Sequence, residues 1–485
     1  MSRSTIRAIA ERSEASSNAS VGACRGFRER TDYLRLELAE ALREALAESG
    51  LNQTQGARAC GTDQPSLSRV LRGQLSGVSS EQLVRWLGAL GKDVRIEVGS
   101  RNAVKSPLAG SREIYLDAHA TTRVDPRVAD RVQQVLLHEF GNPNSSDHRY
   151  GEIAAQILHR AGDDVAQLVG ASPEDVRFTG SATEALRLVI GLEMAATRES
   201  FSVAASRIEH PAVIDLLNAA ERAGYLSVDW VDCDADGVVA ISSIADALKR
   251  RPALLFLMAA NNEVGTIQPI KEAAILARSA NVGLVVDASQ AAGRIPLDVE
   301  ATGIDYLILS SHKLYGPKGA GALIGASVRD VASPFPLEAH GPTPNTGSIA
   351  GFGEACRIRG EEMAVDEPRI AGLRDRLMAK LLVSVPDLAI NGHLGSRLAG
   401  NLHVSAVGAP NDQVVAALRG KVSISTGAAC ASGVDAPSHV LRAMGLPAWR
   451  QESALRIGVG KFNTLEDIEL AGDAIAQAIS SVRQG

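Results

Sequence analysis

From about residue 112 onward, short apolar runs alternate with segments long enough to be helices. Leu254-Leu255-Phe256-Leu257-Met258 and Leu284-Val285-Val286-Asp287 show no in-out polar alternation, so a strand made from either must be covered on both faces. Strands buried on both sides and joined by helix-length connections make a mainly parallel sheet layered with helices. That pattern predicts an α/β fold for the C-terminal three quarters of the 485 residues. With 45% apolar and 22% charged residues the chain is globular in composition, and no window approaches 18 consecutive apolar residues. The first thirty residues lack the apolar stretch of a secretory signal, so a cytoplasmic protein without a membrane partner is expected. Cys24, Cys60, Cys233, Cys356 and Cys430 are scattered, with no C-x-x-C spacing, which argues against a disulfide framework or a metal site.

The first part of the chain reads differently. Residues 1–110 hold 16 Lys+Arg against 12 Asp+Glu and the remainder 34 against 44, giving net charges of +4 and −10. Residues 1–30 are rich in Ser, Ala, Arg and Glu without apolar periodicity, the composition of a mobile tail. Leu34, Leu36, Leu38, Ala41, Leu42, Ala45 and Leu46 form a helical stripe ending at Gly50. Helices are then predicted over 53–60, 64–72 and 79–90, the first two separated by Gly61-Thr62-Asp63. Two short helices around a three-residue turn match a helix-turn-helix, and residues 31–98 resemble the Xre/antitoxin type of small all-α domain. In such a module the second helix enters the major groove of double-stranded DNA, which makes Gln64, Ser66, Ser68, Arg69 and Arg72 candidate contacts. A bundle of this pattern also serves as a protein-docking module, and the small net charge leaves both readings open. Residues 99–111, rich in Gly, Ser, Pro and Lys, read as a linker.

The chemistry concentrates in three segments beyond the linker. DYLILSSHKLYGPKGAG (305–321) runs a strand into Ser-Ser-His-Lys, placing Lys313 where a reactive amine can stand. VDASQAAG places Asp287 at the end of another strand and Gln290 three residues later, the edge at which α/β sheets bind ligands. FTGSATEA (178–185) leads from a strand into a helix whose first N–H groups, at Ser181, Ala182 and Thr183, could hold a phosphate with the Ser181 and Thr183 hydroxyls. Singly, these features are commonly a surface lysine, a helix cap and a turn. Together they supply a Schiff-base lysine, a carboxylate for a pyridinium nitrogen and a phosphate cup, which is what pyridoxal 5'-phosphate requires.

Residues 112–485 resemble the NifS/IscS-type cysteine desulfurases, of the fold-type I, class V aminotransferase-like enzymes. The matching motifs are YLDAHATTRVDPRV (115–128), FGNPNSS (140–146), SATEA (181–185), EHPAV (209–213), NNEVGTIQP (261–269), DASQAAG (287–293), SSHKLYGPKGAG (310–321) and STGAACASG (425–433). The resemblance implies a large domain at about 125–370 and a smaller α+β domain from 112–124 and 371–485. It implies further that Lys313 carries the cofactor, Asp287 pairs with its ring nitrogen, Gln290 bonds its ring oxygen and His210 stacks on it. Thr183, Ser310 and His312 would hold the phosphate, Asn262 and Arg456 the substrate carboxylate. Cys430 would be the nucleophile that takes sulfur from L-cysteine as a persulfide and passes it to an acceptor protein. A homodimer is also implied, with Thr343 reaching the partner's phosphate.

Two departures from the family pattern stand out. The Gly/Arg-rich stretch expected after the lysine region is shortened to LEAHGPTPNTGSIAGFG (337–353), and the asparagine pair of the first motif is replaced by Ala118 and His119. Two other functions remain compatible with the motifs: selenocysteine lyase or another amino-acid lyase or transaminase, which would tolerate loss of Cys430, and a non-catalytic cofactor-sensing regulator.

Overall fold

In this computed structural model the described residues are 5–12, 35, 38–75, 77–100, 113–197, 200–328, 343–427 and 438–484. The chain divides into two compact units, Met1–Gly110 and Ser111–Gly485, with the division inside the segment of linker composition. Residues 101–111 of that segment lie outside the described residues.

The first unit contains β1 (Thr5–Arg12), α1 (38–49), α2 (Gln53–Ala59), α3 (Gln64–Leu71), α4 (Ser80–Ala89) and β2 (Asp93–Ser100). The capping chemistry explains the boundaries. Asn52 accepts from Thr54 and Gln55 N–H while the Gln55 side chain accepts from the Asn52 N–H, a reciprocal box opening α2. Asp63 accepts from Ser66 N–H at 2.7 Å to open α3, and Ser79 caps α4. Leu38, Leu42, Leu67, Val70, Leu83, Trp86 and Leu87 are buried together, so the helical stripes meet in one small core. Within the stretch read as a tail, Thr5–Arg12 is instead a strand paired in parallel with Asp93–Ser100. Its β-branched Thr5, Ile6 and Ile9 favour an extended chain. The rest of residues 1–30 lies outside the described residues.

The second unit begins with β3 (Ile114–Tyr115), α5 (Pro126–His138) and α6 (Arg149–Val169). There follow β4 (Val176–Thr179), α7 (Ala182–Thr197), β5 (Phe201–Ser206), α8 (Pro211–Arg222), β6 (Leu226–Val231), α9 (Ile241–Leu248) and β7 (Leu254–Phe256). Then come α10 (Ile270–Ala280), β8 (Gly283–Asp287), α11 (Val299–Thr302), β9 (Tyr306–Ser310) and β10 (Gly321–Ile324). The 39-residue α12 (Thr346–Ser384) leads to β11 (Leu388–Ile390), β12 (Asn401–Ala406), α13 (Asn411–Leu418) and β13 (Val422–Ser423). The unit closes with α14 (His439–Ala443), α15 (Ala448–Glu452), β14 (Ala454–Gly458) and α16 (Leu465–Gln484).

Seven of these strands form one sheet in the order β4-β10-β9-β8-β7-β5-β6. The run β9-β8-β7-β5-β6 is parallel, whereas β10 is antiparallel to both β9 and β4. The apolar runs seen in the sequence are its centre: β7, β8 and β9 are covered on both faces, by the core that includes Leu255, Leu284 and Leu307 and by that which includes Phe256, Val285 and Ile308. A second, smaller layer pairs the antiparallel sheet β11-β12-β14 with α12, α13 and α16 around Leu377, Leu402, Leu455 and Ile475. The two-stranded β13-β3 pair brings the beginning of the unit to this layer, so residues 117–123 cross back to the large sheet.

Candidate active site

The strands β4, β5, β7, β8 and β9 end at the same edge of the sheet, and each hands the chain to a residue facing one cavity of about 260 Å³. After β4 come Ser181, Ala182 and Thr183 at the start of α7; after β5 comes His210 at the start of α8. Beyond β7 are Met258, Ala260 and Asn262, at the end of β8 Asp287 followed by Gln290, and at the end of β9 Ser310, His312 and Lys313. All of these line the cavity, so the three sequence segments that carried the chemistry meet in space.

Gly180 N–H donates to Glu184 Oε2 at 2.6 Å and Glu184 N–H to Ser181 Oγ at 3.2 Å, closing the first turn of α7 on itself. Strand β10 passes directly beneath: a Cβ on Gly321 would stand 2.8 Å from the Ser181 carbonyl carbon and 3.0 Å from Ala182 N. Only glycine lets the strand approach that closely.

His210 caps its own helix, Nδ1 accepting from Ala212 N–H at 3.1 Å, so any proton on the neutral ring is on Nε2. Burial holds its pKa below the ordinary value, with Asp287 pulling the other way. Burial and the neighbouring Lys313 bring His312 down to about 4, and its Nδ1 lies 3.0 Å from Thr121 Oγ1. Asp287 Oδ1 accepts from Ser289 N–H at 2.9 Å. Lys313 Nζ donates to the carbonyls of His119 (2.7 Å) and Ala120 (2.8 Å). Gln290 Nε2 donates to the same His119 carbonyl at 2.9 Å.

Arg456 is 3% exposed and reaches the margin of the site through Asn262, its Nη1 donating to the Asn262 carbonyl at 3.1 Å. Its Nη2 pairs with Asp117 Oδ1 at 3.0 Å, so it makes a structural ion pair as well as standing beside the cavity. Asn262 Oδ1, Ser289 Oγ and Arg456 Nε are buried without a hydrogen-bond partner among the described residues. Orphaned polar atoms of this kind at a cavity wall mark where a polar ligand belongs.

Thr343 is exposed, just ahead of α12, and does not line this cavity. Cys430 lies outside the described residues, which end at Gly427 and resume at Ser438. Cys60, Cys233 and Cys356 have thiols pushed up by burial, as expected of structural cysteines, and Cys24 lies outside the described residues. In the first unit Arg69 and Arg72 are exposed on α3; Arg69 Nη2 bonds Ser66 Oγ, Arg72 Nε bonds the Ser68 carbonyl, and Gln64 Nε2 bonds Gln53 Oε1. Reasoning from the sequence missed Arg294, Asp117 and Glu263 and noted His119 only as a departure from the family pattern. Their one sequence signal is position, inside or beside motifs that line the cavity.

Comparison with known proteins resolves the family. Residues 114–470 match the model of the aminotransferase class-V family. The chain belongs to that family. Residues 28–99 match a helix-turn-helix domain model. Among curated class-V relatives, a cysteine desulfurase from Frankia sp. is 40% identical, over 76% of this chain and 92% of its own length. The cysteine desulfurase IscS of Shewanella woodyi is 37% identical, over 76% and 93%. A solved NifS-like protein superposes with a TM-score of 0.69 at 30% identity, covering 76% of this chain and all of its own. A structure described as SspA in complex with cysteine gives 0.62 at 26%, covering 72% and all of its own. This class-V enzyme is a cysteine desulfurase dependent on pyridoxal 5'-phosphate, carrying an N-terminal helix-turn-helix domain. The cavity fits that cofactor: a helix N-terminus for the phosphate, a carboxylate and an amide for the ring, an imidazole for its face and an amine for its carbonyl carbon.

Proposed function

We propose that the enzyme converts L-cysteine to L-alanine by moving the substrate sulfur to Cys430 as a persulfide and from there to an acceptor protein. What carries the reading is the convergence of Lys313, Asp287, Gln290, His210 and the start of α7 on one cavity, with Asn262 and Arg456 at its margin. Ser181, Ala182, Thr183, Ser310 and His312 would hold the phosphate, Asp287 the ring nitrogen, Gln290 the ring oxygen and Lys313 the reactive carbon. The bound cofactor supplies an electron sink that acidifies the substrate α-carbon. Arg456 and Asn262 orient the substrate carboxylate, a task that suits the planar fork of arginine. Lys313 Nζ would take and return the α-proton, and His210 Nε2 would serve proton transfer at the same face. The Cys430 thiolate attacks the substrate sulfur; an S–S bond forms as the C–S bond breaks, and a proton returned to carbon completes alanine.

The deciding experiment incubates the full-length protein with L-cysteine and a thiol reductant and measures sulfide and alanine for wild type and Cys430→Ala while following the cofactor absorbance. Equal sulfide and alanine, lost in the variant with the absorbance kept, support the reading. Turnover of cysteine or selenocysteine that survives in Cys430→Ala indicates a lyase or transaminase instead. Cofactor without turnover in either protein indicates a sensor.

We further infer a cytoplasmic homodimer whose first unit binds double-stranded DNA, with Gln64, Ser66, Ser68, Arg69 and Arg72 on the approaching helix. Among the described residues no helix is long and apolar enough to cross a membrane. The match to a helix-turn-helix model and the exposed Arg69 and Arg72 support the DNA reading. Joined to a desulfurase, such a unit would bring sulfur to DNA or let the enzyme control its own expression. Salt-sensitive DNA binding by the full chain tests it; a protein partner captured by the first unit without DNA binding would favour docking.

A further inference from the structure

The acceptors that hold Lys313 Nζ belong to the main chain of residues 119 and 120, and the structure behind them is unusual. Arg294 is 7% exposed. Its Nη2 donates to the carbonyls of Ala118 (3.0 Å) and Lys313 itself (2.9 Å), and its Nη1 lies 2.8 Å from His119 Nδ1. One guanidinium therefore ties together the segment that presents the acceptors and the residue whose amine they receive. The same Nδ1 lies 3.0 Å from Gln290 Oε1, so this ring nitrogen stands between a guanidinium that can only donate and an amide oxygen that can only accept. Burial and the charge of Arg294 hold that imidazole neutral, well below the ordinary histidine range. Its Nε2 is buried and has no hydrogen-bond partner among the described residues. The contacts of Arg294 are with carbonyl oxygens and an imidazole nitrogen, none of which carries a negative charge.

We propose that Arg294 is a positioning residue for Lys313: through His119 and the carbonyls of Ala118 and Lys313 it fixes the acceptors on which the lysine amine rests, and its charge disfavours protonation at that amine. The proposal rests on the reading of Lys313 as the reacting amine. A lysine must be neutral to attack a carbonyl carbon or take a proton, and a buried cation nearby favours that form. Asp287, His210 and His312 share the cavity with the amine and Arg456 faces His119, while Tyr315, Glu367 and Arg359 face Arg294 from the other side. All of them stay in place in the variants below.

The test uses full-length protein loaded with pyridoxal 5'-phosphate and reads the pH midpoint of the cofactor absorbance change, with kcat and KM for L-cysteine alongside. Arg294→Met is expected to raise the midpoint by about one pH unit, as removal of one charge in a partly screened interior should. It should also lower kcat by roughly tenfold or more, with KM changed far less, because a misplaced amine affects the chemical step. Arg294→Lys keeps the charge and loses the fork, so it should keep the wild-type midpoint while kcat falls. A wild-type midpoint in Arg294→Met overturns the proposal. Should that variant fail to fold, wild-type kcat in Arg294→Lys overturns it equally. Lys313→Ala separates the two levels: a titration that persists there removes the assignment of Lys313, whereas one lost there but unmoved in Arg294→Met removes only the role of Arg294.

Discussion

Ser438 Oγ donates to Glu263 Oε2 at 2.5 Å while accepting from Leu441 N–H at 3.2 Å, so one hydroxyl both caps α14 and satisfies a buried carboxyl group. Glu263 comes from the NNEVG motif beside Asn262, and a Cβ on Gly427 would stand 3.2 Å from the same carboxyl oxygen. The described residues on either side of Cys430 are therefore both close to Glu263. Ser438→Ala removes a cap and leaves a buried carboxyl unpaired, and should destabilise the protein by roughly 1–3 kcal/mol. Denaturant unfolding measures it; Ser438→Thr, which keeps the hydroxyl, should recover most of the loss.

Glu209 is buried immediately before His210, its Oε1 accepting from Ser206 Oγ at 2.6 Å and Met258 N–H at 2.8 Å. Burial pushes its pKa up to about 8. A carboxyl whose folded value lies above its unfolded value contributes stability below the unfolded value, and that contribution is lost as pH rises through the folded one. Stability should thus decline between about pH 4.5 and pH 8 by roughly 2–4 kcal/mol from this group. Glu209→Gln keeps both accepted bonds and should flatten that slope, as measured by denaturation midpoints across the range.

Arg456 and Asp117 form an ion pair of which the guanidinium is nearly inaccessible. Arg456→Lys keeps the charge but cannot present two parallel donors to a carboxylate. The expected result is a fall in kcat/KM for L-cysteine of about 10–100-fold, carried mostly by KM, with cofactor affinity unchanged. Steady-state kinetics beside a cofactor titration decides; equal weakening of cofactor and substrate would argue for a structural role only.

Arg69 on α3 and Arg72 at its C-terminal cap are exposed, and each bonds a serine of the same helix, Ser66 and Ser68. If they meet phosphate, Arg69→Ala and Arg72→Ala should each weaken DNA binding by the full chain and reduce the slope of log K against log salt by about one. Desulfurase turnover should stay at the wild-type level. A slope unchanged in both variants removes these residues from any phosphate contact.

Much of the architecture was legible because it depends on local rules. Unbroken apolar runs such as 254–258 announce strands covered on both faces, and the helix starts are near the predicted ones because the caps at Asn52, Asp63 and Ser79 act through side chains that reach only two or three residues ahead. The site residues were legible for the same reason: in a parallel sheet the residue after each strand falls at one common edge, so their order along the chain already implies convergence. The reversed direction of β10 and the pairing of Thr5–Arg12 with Asp93–Ser100 were not legible, since strand partners are chosen across long separations.

The sequence by itself determined which chemistry this protein carries: an amine, a carboxylate, an imidazole and a helix N-terminus, each at the end of a strand. Tertiary structure alone decided how those groups are held. His119 with Arg294, Arg456 with Asp117 and Ser438 with Glu263 are each separated by at least 175 residues. Whether such a side chain is buried, which tautomer it takes and which partner it meets follow from desolvation and approach in the folded chain, and residue type alone carries neither.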